Sequence, residues 1–313
     1  MSNEDGRGIQ LSSLIDTAKP RSILADAKLF YKANYPKVDL KSIDKAFLLT
    51  KRLYDGRYPG YLACAVGYHD YVHSVAVFAA TSRLLDGCEL SGLSIGPERA
   101  AETLTAALLH DAGYIREEGD EAGTGAQYTK THVDRSANFV RREGKAFGLS
   151  DEAADRASRM ILATDLARPL DSLAFGDEGE RRGALALAAA DLLGQMADRL
   201  YLEKLLFLYY EFREAGIDGY DSAFDILKKT AGFYESTKAR LDGPLGSVST
   251  KARDHFSARL GIAKDLYREA IERQMAYLDS IIADGSGNFR TKLKRMDFET
   301  IENRRSSIAL TLR

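Results

Sequence analysis

Along most of this chain, apolar residues recur at i, i+3, i+4 and i+7, the spacing that keeps one face of a helix out of water. The pattern predicts helices over roughly 41–55, 67–86, 97–112, 127–148, 151–166, 181–195, 199–215, 220–241 and 249–284, and no convincing strand ladder. The six prolines (Pro20, Pro36, Pro59, Pro97, Pro169 and Pro244) fall mostly between the periodic segments. Gly96-Pro97-Glu98 puts Pro where a first helical turn tolerates it and an acid near the positive end of the helix dipole. Ser150-Asp151-Glu152 predicts another capped start. Stretches rich in Gly and acid, Glu117 to Gly125 and Gly176 to Arg182, predict loops. Residues 1–40 read as a short helical lead-in, 41–285 as one all-α domain and 286–313 as a basic polar tail, either solvated or clasping a partner.

Composition adds exclusions. With 313 residues, 45% of them hydrophobic and 29% charged, the chain has enough apolar material for a large core. Lys and Arg number 44 against 46 Asp and Glu, so no global basic field favours duplex nucleic acid or anionic lipid. Two cysteines, Cys64 and Cys88, are too few for a disulfide framework and lack metal-ligand spacing, which predicts a reducing, cytoplasmic setting. The segment MSNEDGRG has no apolar signal core, and the longest apolar stretch, from Ala184, is too short and carries a charge; neither a secretion signal nor a membrane span is expected.

Chemistry enters with the histidines, since four of the five (His69, His73, His110 and His132) fall between 69 and 132. His69 and His73 are four apart in GYHDYVHSVAVFAA, which predicts one helix face with the rings a turn apart. His110-Asp111 ends the apolar run TLTAALLHDAGY, where Ala112-Gly113 lets the helix stop; adjacent residues diverge by about 100° on a helix, so the pair shares one ion only at a distorted end or across two ions. Asp191 is an isolated carboxylate on the apolar stripe LALAAADLLGQMA, and a buried carboxylate needs a partner. In order, His73, His110, Asp111 and Asp191 supply two imidazoles and two carboxylates. The set suits Mn²⁺, Fe²⁺, Zn²⁺ or Mg²⁺ better than Cu⁺, there being no thiolate.

These residues resemble the HD-domain metal-dependent phosphohydrolases, whose ligands are a histidine, a tandem His-Asp and a distal Asp in a helical bundle. The resemblance spans about 67–212. YHDYVHSVAV and ILATDLARP are similar to the Tyr-His-Asn-x-x-His and Ile-Leu-Ala-Thr-Asp blocks of the branch that contains the cyclic-nucleotide phosphodiesterase catalytic domains. It implies a single HD-type bundle with extra C-terminal helices, in which His73, His110, Asp111 and Asp191 hold one or two divalent ions. It further implies His69, beside Tyr68, as general acid; His132 as a second-metal or phosphate contact; and Thr164 and Asp165 near the site, residues that equally read as a helix-end cap. Asp70 stands where that branch has asparagine, and Tyr114 where its His-Asp-x-x-His block ends in histidine. Later in the chain, IERQMAYLDSII resembles the Gln-x-x-Phe block, with Gln274 and Tyr277 in place of the base-binding glutamine and ring; an amphipathic helix with Tyr277 in its core is the other reading.

The implied activity is hydrolysis of a phosphate ester, a nucleotide phosphodiester or phosphomonoester. A divalent ion lowers the pKa of bound water toward neutrality and neutralises phosphoryl oxygens, with Asp111 able to serve two ions. His69 protonates the departing oxygen. The alternative is an HD-like module that binds a nucleotide or metal for regulation, and a homo-oligomer is left open. His255 reads as a surface residue, and the Tyr and Leu repeats from Tyr201 to Phe212 as core packing.

Overall fold

The computed structural model describes residues 8–120, 122–284 and 289–296. Its helices are α1 (Leu11–Leu14), α2 (Pro20–Asn34), α3 (Lys41–Tyr54), α4 (Tyr71–Leu90), α5 (Pro97–Leu109), α6 (His132–Glu143), α7 (Asp151–Leu162) and α8 (Glu178–Met196). They continue with α9 (Tyr201–Glu214), α10 (Ala223–Asp242), α11 (Gly246–Ser249), α12 (Lys251–Leu260), α13 (Leu266–Ala283) and α14 (Phe289–Lys292). Among the described residues there is no strand, only an isolated antiparallel bridge between Tyr61 and Glu117, so the protein is all-α.

Helices α4 and α8 are buried on most sides rather than along one stripe, and their position accounts for it. They pack on each other, with α2, α5 and α12 against α4 and with α5, α7, α11 and α13 against α8. Every residue from His73 to Cys88 is buried. Small residues allow the close approach. A Cβ on Gly194 would lie 3.2 Å from the Ala76 carbonyl oxygen, and one on Gly87 only 1.8 Å from that of Lys251, where α12 meets α4. One apolar core extends from Leu11 to Leu293, joining the lead-in helix α2 through Ile23, Ala27 and Tyr31. Among the described residues, no helix is long and apolar enough to cross a membrane.

Element ends move where a side chain captures the backbone. The helix expected from residue 67 starts at Tyr71, because the Asp70 carboxylate accepts from the His73 amide at 2.9 Å and caps α4 there; His69 therefore precedes the helix. Asp177 accepts from the Glu180 amide at 2.7 Å, so α8 begins inside the stretch expected to be a loop. The helix expected over 127–148 is shorter: a 3-10 turn at Ala126–Tyr128 precedes α6. The long helix expected over 249–284 is broken at Gly261 (φ 69°), and Asp265 restarts it by capping the Tyr267 and Arg268 amides. The expected tail, 286–313, lies outside the described residues except for 289–296.

His255 is not on the surface. It is 1% exposed, with Nδ1 2.6 Å from the Asp86 carboxylate. Asp86 also accepts from Arg259 and Asn34, so the chain's fifth histidine closes a buried polar network joining α2, α4 and α12. The surface expectation for His255 is overturned by Asp86, a carboxylate 169 residues away in the chain.

Candidate metal centre

Three helices deliver the candidate ligands. His73 lies in the first turn of α4, His110 is the residue that ends α5, Asp111 follows it with φ −108° and ψ 10°, and Asp191 lies on α8. Because the helix ends at the pair, His110 and Asp111 turn toward one point. Asp111 Oδ2 is 3.1 Å from His110 Nε2 and 3.3 Å from His73 Nε2, and the two Nε2 atoms are 3.3 Å apart. Asp191 Oδ1 approaches the same imidazoles at 3.3 Å (His73) and 3.6 Å (His110). The tightest group is His73, His110 and Asp111, whose donors all lie within 4.8 Å of one another; Asp191 joins it through both imidazoles.

The donor chemistry fits a cation. His110 Nδ1 is 2.8 Å from the Ala107 carbonyl, an acceptor, so Nδ1 carries a proton and Nε2 is the nitrogen turned inward. That nitrogen faces carboxylate oxygens, and the buried Asp111 Oδ2 has no hydrogen-bond partner. With ligand bonds of about 2.0–2.2 Å, neighbouring donors on a tetrahedral or octahedral shell are about 2.8–3.6 Å apart, the range of all five separations. Burial opposes charge on His73 and His110, but the carboxylates of Asp111 and Asp191 overcome it and raise both imidazoles above their ordinary pKa, His110 strongly. Burial likewise opposes ionisation of Asp111, and the His110 and His69 rings outweigh it, holding the carboxyl well below the usual range. The cluster favours positive charge at its centre.

Around this cluster the structure assembles a second layer. His132 Nδ1 donates to the Thr129 carbonyl at 2.7 Å, which turns its Nε2 toward Asp111 Oδ1 at 3.6 Å. Asp111 therefore presents one oxygen to His73 and His110 and the other to His132. No second group of three such donors gathers within 4.8 Å among the described residues. Tyr114 stacks on His69 (4.4 Å, 11°) and also meets His132 (4.5 Å, 25°), the two imidazoles being 5.9 Å apart. Gly113 permits this arrangement by its size, not by a left-handed turn: a Cβ there would lie 2.1 Å from the His132 carbonyl oxygen.

Although it precedes α4, His69 stands beside His73, with ring centroids 5.8 Å apart. Its Nδ1 is 2.6 Å from Glu211 Oε2 on α9, and Glu211 Oε1 accepts from the Tyr68 amide at 2.6 Å. With Nδ1 engaged, Nε2 is the nitrogen available to a ligand in the adjoining cavity. That cavity, of about 480 Å³, is lined at this end by His69, Asp111, His132 and Asp191.

Other expectations divide. Thr164 and Asp165 do line the cavity, yet their side chains also bind locally, Thr164 Oγ1 to the Ile161 carbonyl and Asp165 Oδ1 to the Ala167 amide, so both readings of this pair hold. Gln274 and Tyr277 are not brought to the cavity. Gln274 Nε2 donates to the Asp198 carbonyl at 2.6 Å and its Oε1 accepts from Arg295, while Tyr277 Oη donates to the Lys292 carbonyl at 2.6 Å. Their helix face seats the segment 289–296, which corrects the base-binding expectation. Two residues of the site lie outside the expected set. Glu211 falls in the run expected to be core packing, its signal being an acid inside YLEKLLFLYYEF. Gln195, which lines the cavity and contacts Tyr68 Oη at 2.8 Å, is one helical turn past Asp191 on the same face.

Residues 118–241, under half of the chain, are similar to a protein family described as Npun_R2479-like. That stretch includes His132, Asp191 and Glu211 and stops short of His69, His73, His110 and Asp111. No curated protein matches the chain.

Proposed function

We propose that this chain is a metal-dependent phosphohydrolase of the HD kind, with His73, His110, Asp111 and Asp191 as ligands and His69 as proton donor. The observation that carries the reading is the convergence of two imidazoles and two carboxylates from three helices on one point, with the buried Asp111 Oδ2 lacking a hydrogen-bond partner. A divalent ion held there supplies an acidified water and positive charge for phosphoryl oxygens.

The chain's own residues do the rest. Glu211 accepts a hydrogen bond from His69 Nδ1 and fixes the ring, and Tyr114 stacks on its face, so Nε2 is aimed into the cavity. From there Nε2 donates a proton to the oxygen that leaves phosphorus. The Thr129 carbonyl fixes the His132 ring with its Nε2 lone pair 3.6 Å from the other Asp111 oxygen, where it would serve a second ion.

Elemental analysis of the purified protein, followed by a panel of phosphate monoesters and diesters with added Mn²⁺, Mg²⁺, Fe²⁺ or Zn²⁺, tests the reading. Bound transition metal and turnover of at least one ester are expected. Metal without turnover of any ester after remetallation refutes the enzyme and favours a binding module.

A further inference from the structure

Beyond the candidate ligands, the same cavity is lined by side chains of α9 and α10: Tyr201, Leu205, Leu208 and Phe212 from the first, Ile226 and Phe233 from the second. At the rim, Leu166 lines the same cavity yet is 53% exposed, an apolar side chain left in water at the opening.

Several polar groups of this region already engage the chain. Thr230 Oγ1 donates to the Ile226 carbonyl at 2.8 Å, and Thr164 Oγ1 to the Ile161 carbonyl at 2.8 Å. Lys130 donates to the Gly216 carbonyl, while Lys229 donates to that of Gly219 and lies over the Tyr220 ring. The oxygen of the Gln195 amide already accepts from Tyr68 Oη at 2.8 Å. A nucleobase brings several donors and acceptors, and each left unmatched on burial costs affinity. An apolar group brings none, and a cavity of about 480 Å³ is of small-molecule size.

We infer that the phosphate ester taken by this site is that of an apolar alcohol, an alkyl or isoprenoid-like chain lying between α9 and α10, and not a nucleotide. The inference rests on the phosphohydrolase reading for the phosphate end and on the α9–α10 wall for the rest.

Calorimetric binding to the full chain of n-alkylphosphonates from two to ten carbons, with and without Mn²⁺, tests it, alongside AMP, UMP and the matching 1-alkanols. Phosphonate affinity should rise about threefold to fourfold per methylene over the first several carbons, the gain expected of a buried methylene. AMP and UMP should bind no more tightly than ethylphosphonate. Affinity that depends on Mn²⁺ but ignores chain length, or nucleotides that bind more tightly than the long phosphonates, overturns the inference and leaves the phosphohydrolase reading standing. Equal slopes for alkanols and phosphonates, with no gain from the phosphonate group in Mn²⁺, refute the phosphohydrolase reading instead. Leu208→Asn and Phe233→Ser, both at half-buried positions, should flatten the chain-length slope. An unchanged slope in both variants counts against the α9–α10 wall.

Discussion

Replacing Glu211 by glutamine probes the site where the structure makes its sharpest demand. The carboxylate accepts two hydrogen bonds, from the Tyr68 amide and from His69 Nδ1, each 2.6 Å long. Glutamine offers one acceptor and one donor. If its oxygen takes the Tyr68 amide, its NH₂ faces His69 Nδ1 and stabilises the tautomer that has lost the Nδ1 proton. If it turns over, the NH₂ meets the buried Tyr68 amide, donor against donor. Either way an interaction worth about 1.5–3 kcal/mol for a bond to a charged group is lost, which is roughly 10-fold to 150-fold in rate when the protonated ring is needed. The assay is kcat/KM for alkyl phosphate esters, whose leaving oxygen requires a proton, against p-nitrophenyl esters, whose leaving group scarcely does. Glu211→Gln should show the loss on the first and little on the second, with metal content retained. His69→Ala should extend the loss on alkyl esters to roughly 10²–10⁴, again with metal retained. Equal losses on both ester classes, or loss of metal from Glu211→Gln, would refute the role given to the pair.

Asp111→Ala should lose metal and activity together, because Asp111 presents an oxygen to each side of the site, while Asp191→Ala should weaken metal binding; full metal occupancy in both variants, by elemental analysis, contradicts the ligand assignment. Gly113→Ala should cost roughly 1–3 kcal/mol in denaturant unfolding, since its Cβ would meet the His132 carbonyl oxygen at 2.1 Å and the start of α6 must shift; unchanged stability would mean that contact relaxes freely. Burial lowers the His255 pKa, with Arg83 and Arg259 adding to that effect and Asp86 opposing it; burial would raise Asp86, but bonds from His255 and Arg259 bring it below its ordinary value. Both groups therefore contribute stability that is present above their unfolded values, about 6.5 and 3.9, and lost as pH falls through the lower folded values. Tm should fall as pH is taken from 7 to 5, and His255→Gln should flatten that part of the curve; an identical slope in the variant excludes His255 as its source.

What the sequence revealed and what it hid follow from the physics of each element. Helices with one apolar stripe were legible: α3 and α7 start where expected, at Lys41 and Asp151, because burial of a single face leaves a periodic record and Ser150 caps the second by accepting from the Ala153 amide. Starts set by one side chain were not, as at Asp70 and Asp177, since either acid could equally have pointed to solvent. The four candidate ligands were legible for a chemical reason. Few residue types bind a divalent ion, and a His-Asp pair at the end of an apolar run is hard to account for otherwise.

The carboxylate behind His69 carries no such restriction, because any helix passing within reach could supply it. On α9, Glu211 and Glu214 are three residues apart in the same acidic and aromatic run, and their side chains go to different tasks. Glu211 turns inward to His69 and the Tyr68 amide; Glu214 takes the Thr124 amide and hydroxyl and holds the loop ahead of α6. Composition and spacing are the same for both, so the difference arises only when α9 is laid against the segment that precedes α4. A ligand set can thus be read from the chain one residue at a time, whereas the group that would let His69 act as an acid is a property of packing. In α13 the same ambiguity misled in the other direction: Gln274 and Tyr277 have the spacing of a pocket, but their face of the helix meets residues 289–296.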